Sequence, residues 1–223
     1  MILYGASGHA KVIVDILEAL GKEIDWIVDD NDEVKGLLGY EVKRNEGCYD
    51  AAIVSIGNCQ IRKKIVESLE VGKWETAIHP SAIISPHAYI GEGTVIMAGA
   101  LVNACAKVGK HNIINTGASV DHDVELGDFV HIAPHATVTG NVVIGEGSWI
   151  GAGTVIRQGI KIGKNCMIGA GSVVVKDIPD GVTAFGNPCR IKYNSQNMNK
   201  FNNLRGGVNC RFPASMVKLR KIA

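Results

Sequence analysis

From residue 78 onward the chain repeats with a period of six. Every sixth residue from Ile78 to Val174 is isoleucine, valine or leucine, without insertion. The other columns keep the same register. Four residues after the anchor stand small or β-branched residues such as Ala82, Thr94, Ala100, Ala118, Ala136, Ser148 and Thr154. Three residues after it stand Gly93, Gly99, Gly117, Asp123, Asn141, Gly147, Gly153, Asn165, Gly171 or Asp177. Glycine, asparagine and aspartate tolerate a left-handed turn. Each hexad therefore reads as a short strand followed by a tight corner, with the branched anchor filling a narrow interior. A sustained six-residue period is the signature of a parallel β-helix. The six-residue edge and three-sided coil resemble the left-handed form of that architecture. Stacked at the usual strand spacing, about five to six coils give a prism about 25–30 Å long.

Composition agrees with such a core. The 223 residues are 46% hydrophobic but only 5% aromatic, with 27 glycines against 6 prolines. Lys and Arg number 23 and Asp and Glu 22, a net charge of +1. That balance gives no electrostatic footprint for nucleic acid. Cysteines 48, 59, 105, 166, 189 and 210 form no CxxC and no zinc-ligand spacing. They read as reduced structural thiols in a cytoplasmic protein. The first residues lack the basic and apolar regions of a signal peptide, and no run reaches the length of a membrane span.

Residues 1–77 follow another rule. An apolar strand at 2–4 runs into the turn Gly5-Ala6-Ser7-Gly8-His9, and residues 11–20 carry apolar side chains at helical spacing. A second strand at 26–28 ends at Asp29-Asp30. A third at 51–56 ends at Gly57-Asn58, with a helix expected over 61–69. Alternating strand and helix predicts a small Rossmann-like α/β domain with a parallel sheet, whose ligands sit at the carboxyl ends of the strands. Those ends carry the glycine turn, the paired aspartates and Gly57-Asn58. The turn amides suit phosphate oxygens, and a carboxylate suits a ribose hydroxyl or a base N–H. A glycine that merely permits a tight strand–helix turn is the plainer alternative. Residues 193–223 leave both patterns and read as a C-terminal extension, either a terminal helix or a poorly ordered segment.

The packed interior of a β-helix leaves its chemistry to the outer faces or to contacts between copies. His111, His122, His131 and His135 lie on the prism, and no two are a full coil apart, so a metal site is not expected. His122 stands at a corner between Asp121 and Asp123. A carboxylate beside an imidazole fixes its tautomer and stabilises the imidazolium as a proton arrives. A solvated surface corner is the alternative.

Over residues 1–192 the chain resembles bacterial nucleotide-sugar acetyltransferases. This family includes UDP-4-amino-sugar N-acetyltransferases and sialic acid O-acetyltransferases. The resemblance runs through the opening strand and glycine turn, Asp29-Asp30, Ile56-Gly57-Asn58 and Ile61-Arg62-Lys63-Lys64. It continues through the hexads, Asn115-Thr116, Val120 to Asp123, Gly127 to His131, Gly140-Asn141-Val142 and Gly186 to Arg190. It implies acetyl-CoA as donor and a homotrimer with sites between prisms. It implies His122 as general base supported by Asp123 or Asp121, and His131 and Gly140 at the acetyl-CoA thioester. Pro188 and Arg190 fall near the coenzyme's far end. Ser7, Gly8, His9, Asp29, Asp30, Gly57 and Asn58 fall on the nucleotide-sugar site. The expected organisation is a nucleotide-sugar domain at 1–77, an acetyltransferase β-helix at 78–192 and the extension beyond. The resemblance favours transfer to a sugar amine. O-acetylation and a non-enzymatic trimeric nucleotide-sugar binder are the alternatives.

Overall fold

The computed structural model describes residues 1–194. Its N-terminal unit is a six-stranded sheet ordered β3-β4-β2-β1-β5-β6. The strands are β1 (Ile2–Tyr4), β2 (Trp26–Val28), β3 (Gly36–Leu37), β4 (Tyr40–Lys43), β5 (Cys48–Val54) and β6 (Glu70–Trp74). The helices are α1 (Gly8–Ala19) and α2 (Cys59–Ser68). β1 lies between β2 and β5 in parallel register, with Ile2 opposite both Trp26 and Ala52. Both helices begin two or three residues before the expected positions. β3, β4 and β6 are additional to the sequence reading. They are short or largely exposed, so they carry little apolar periodicity.

The remainder is a left-handed parallel β-helix. Each hexad supplies a two-residue strand that pairs in parallel with the strand one coil on, as Ile96 does with Ile114 and Val102 with Val120. The second residue of each pair points inward and the first points out. The anchors from Ile96 to Val174 are almost completely buried. At the core corners Thr94, Ser148 and Thr154 are wholly buried, and their hydroxyls donate to the carbonyls of Gly109, Gly163 and Gly169. Buried hydroxyls are thus satisfied within the wall. The expected left-handed corners include Asp123, Asn141 and Asn165, with φ of 57°, 57° and 54°. Asp177 is not among them, because the chain leaves the hexads after Val174. It closes the first face instead with Val182–Phe185 and an antiparallel strand, Arg190–Asn194.

The three faces carry different outward residues. The first face, from Ala77–Ile78 to Met167–Ile168, packs under the N-terminal unit. Its Ala77, Val95 and Ile113 join Ile13, Ile16 and Leu17 of α1 in one apolar cluster. The second face, from Ile83–Ile84 to Val173–Val174, is apolar and open, with Ile83 68% exposed. The third face carries charge, as in the Lys107–Glu125 ion pair. The expected C-terminal extension lies almost wholly outside the described residues.

Candidate active site

His122 sits at the vertex where the second face turns into the third. Its Nδ1 lies 2.8 Å from Asp123 Oδ2, and both side chains are about half exposed. The carboxylate holds the proton on Nδ1 and leaves Nε2 as a free acceptor. That bond first, and then the charge of Asp121, raise the imidazole pKa above its ordinary 6.5. Asp121 has a different task. Its Oδ1 accepts from the backbone amide of His122 at 2.8 Å and from Asn103 Nδ2 at 2.9 Å. Asp121 therefore shapes the corner, while Asp123 partners the ring.

Gly140 lies one coil on, directly against this ring. A Cβ there would come within 2.6 Å of His122 Cε1. Only glycine lets the imidazole rest on the backbone. The Gly140 amide donates no hydrogen bond among the described residues. A free N–H beside a general base can receive a developing oxyanion. Along the same edge a groove of about 530 Å³ is lined by Ile84, Pro86, Val102, Ala104 and His122 among others.

His131 stands elsewhere on the prism. It points outward on the first face, is 3% exposed, and meets the N-terminal unit instead of His122. Its Nδ1 lies 3.0 Å from the Gly57 carbonyl and its Nε2 3.1 Å from Asn115 Nδ2. The first contact requires an Nδ1–H donor, so Nε2 accepts from Asn115. Burial drives its pKa down to about 3, so the ring is neutral. Both nitrogens are engaged within this chain, beside the turns that carry the sugar-nucleotide candidates. Trp149, one coil on, packs against it with centroids 4.1 Å apart, and His9 lies 6.0 Å away on the other side. His9 has a buried Nε2 without a partner, and desolvation lowers its pKa to about 4.

The strand ends of the N-terminal sheet converge nearby. Gly5 has φ of 108°, and a Cβ there would meet Ile56 at 2.5 Å. Ser7 stands at the N-terminus of α1 without capping it, so its hydroxyl is not used by the helix. The neighbouring Gly8 has open space around its Cα. Asp29 accepts from the amides of Ala6 and Asn31 at 2.7 and 2.8 Å, latching the glycine turn to β2. Asp30 accepts from the Tyr4 hydroxyl. Asn58 caps α2 through the amides of Gln60 and Ile61. Three expected ligand residues thus also hold the turns that form the site.

The other candidates lie apart. His111 is buried between Trp74 and Phe129 and is structural. His135 sits at a left-handed corner, its ring over Gly117. Pro188 and Arg190 lie at the closing hairpin, where Arg190 donates to the Cys189 carbonyl. Among the described residues no group of three His, Cys, Asp or Glu is placed to hold a metal ion, and no helix is long and apolar enough to cross a membrane. The sequence reading left Asn103 and Trp149 without a role. Their signal was the eighteen-residue spacing to Asp121 and His131, which places each directly over its partner.

Comparison with known proteins agrees with this architecture. Residues 1–69 match the PglD N-terminal domain, and 141–176 match the bacterial transferase hexapeptide repeats. A 48-residue segment is 54% identical to UDP-N-acetylbacillosamine N-acetyltransferase of Bacillus subtilis, spanning 21% of this chain and 22% of that protein. A histidine-to-asparagine variant of perosamine N-acetyltransferase from Caulobacter crescentus, in complex with CoA and GDP-perosamine, superposes with a TM-score of 0.81. It is 37% identical, over 86% of this chain and 96% of that one. The acetyltransferase domain of PglB from Neisseria gonorrhoeae, in complex with acetyl coenzyme A, gives 40% identity and a TM-score of 0.77 over 86% and 98%. The chain belongs to the family of hexapeptide-repeat sugar N-acetyltransferases that carry a PglD-type N-terminal domain.

Proposed function

We propose that the protein transfers the acetyl group of acetyl-CoA to the amine of a nucleotide-linked 4-amino sugar. The observation that carries this reading is the His122–Asp123 pair, with its Nε2 and the neighbouring Gly140 amide both unpaired among the described residues. The amine attacks the thioester carbonyl directly while His122 Nε2 takes its proton. The Gly140 N–H receives the oxyanion. The tetrahedral intermediate then expels the CoA thiolate, which the imidazolium reprotonates.

The acceptor's nucleotide lies on the turns at Ser7-Gly8-His9, Asp29-Asp30 and Gly57-Asn58, with His131 beside them. Pro188 and Arg190 meet the far end of the coenzyme. These two halves face opposite ways on one chain. The N-terminal unit covers the first face, while His122 stands at the vertex opposite that face. A second prism packed on the open apolar face supplies the missing half, so the active assembly is a homotrimer. Residues 1–77 select the acceptor and 78–192 carry the chemistry.

The test is thiol release from acetyl-CoA against UDP-, GDP- and dTDP-linked amino sugars and free sialic acid. Release with a nucleotide amino sugar is expected. Release with sialic acid alone would make the protein an O-acetyltransferase, and release with none would refute the reading.

A further inference from the structure

We infer that Arg62 is a positioning residue for the sugar-nucleotide acceptor, acting by clamping the Gly57 turn and the His131 strand in one fixed relation. This rests on the function proposed above. Arg62 lies on α2 and is 1% exposed. Its five N–H groups donate to backbone carbonyl oxygens. Nη1 bonds Ile56 and Gly57 at 2.8 and 2.9 Å. Nε bonds His111 at 2.9 Å, and Nη2 bonds Phe129 at 2.9 Å and Val130 at 3.4 Å. The first two carbonyls precede Asn58, and the last two precede His131. One planar guanidinium thus joins the end of β5 to the prism. The Gly57 carbonyl also meets His131 Nδ1, so the same oxygen fixes the tautomer of that ring.

No carboxylate among the described residues pairs with Arg62. The guanidinium replaces solvation entirely with carbonyl dipoles, and it does so at the turn that carries two acceptor candidates. Its charge also helps keep His9 and His131 neutral. Lysine retains the charge but presents three donors without the planar fork. Nearby on α2, the side chains of Gln60 and Lys63 bind Asn165 and Glu146 and dock the same helix, with no side-chain hydrogen bond to the Gly57 turn.

Steady-state kinetics with GDP-perosamine and with a UDP-linked 4-amino sugar separate the two roles. Wild-type turnover, measured first, tests the functional reading by itself. If neither acceptor nor any other nucleotide amino sugar is acetylated, that reading and this inference both fall. Given turnover, Arg62→Lys should raise the acceptor KM by about tenfold or more while sparing the KM for acetyl-CoA. The double variant Gln60→Ala, Lys63→Ala should lower Tm and leave both KM values unchanged. A folded Arg62→Lys with acceptor KM within about twofold of wild type would overturn the inference. Should Arg62→Lys not fold, imidazole nitrogen resonances of the wild-type protein decide. Saturating UDP or GDP should shift the His131 signal and CoA should not. A His131 signal indifferent to either nucleotide would also overturn the inference.

Discussion

A glycine and a histidine one coil apart carry the proposed chemistry at the scale of single residues. Replacing Gly140 with alanine puts a methyl group where the His122 ring lies. The ring is half exposed and can swing away, so the fold should tolerate the change while the base is displaced. The expected outcome is an almost unchanged Tm with kcat reduced by about 10²-fold, the usual effect of a misplaced catalytic group. His122→Ala should lower kcat by roughly 10²–10⁴-fold, with little change in acetyl-CoA binding by calorimetry. The pH profile of kcat/KM reports the base more directly. In the proposed role His122 acts when neutral, and its pKa is raised by Asp123 and Asp121. Activity should fall as pH drops through that raised value. Asp123→Asn should move the acid limb to lower pH and depress the plateau, since Nδ1–H is no longer held. An unmoved limb would assign it to another group. Asp29 is bonded to two amides, so Asp29→Ala should cost about 1–3 kcal/mol in denaturant unfolding. A loss of acceptor affinity should accompany it as the glycine turn loosens.

At the scale of elements, the hexad repeat and the α/β alternation are both legible in the sequence, because each buries its apolar residues at a fixed period. Ile156 shows how firmly: it is wholly buried in the prism. Ile156→Ala should destabilise the protein by about 2–5 kcal/mol in chemical denaturation while leaving both KM values of the folded fraction unchanged. The His122 corner is legible too, because its three residues are adjacent in the chain. What the sequence conceals are contacts made across coils or between domains. Asn103 reaches Asp121 only once the coils stack, and Arg62 reads as one more basic residue on a helix until its carbonyl cage is seen. The surroundings of His131 are concealed for the same reason. Its residue type suits a thioester contact, and only the docking of Gly57 against the first face occupies both its nitrogens. The hairpin of β3 and β4 is missed because its residues are mostly at the surface.

At the scale of the whole molecule, the separation of the two half-sites is the central claim. A cyclic trimer joins unlike surfaces of neighbouring chains. His122 of one chain can then serve the acceptor turns of the next. Mixed trimers test this directly. His122→Ala chains lack the base, and His131→Ala chains lack part of the acceptor half, so trimers of either variant alone should be nearly inactive. Trimers assembled from equal amounts of both should recover roughly a quarter of the wild-type sites, the chance that an intact half meets its intact complement across an interface. Recovery near that level is the predicted result. Verified mixed trimers that stay as inactive as the pure variants would show that each chain builds its own site, and would contradict the account.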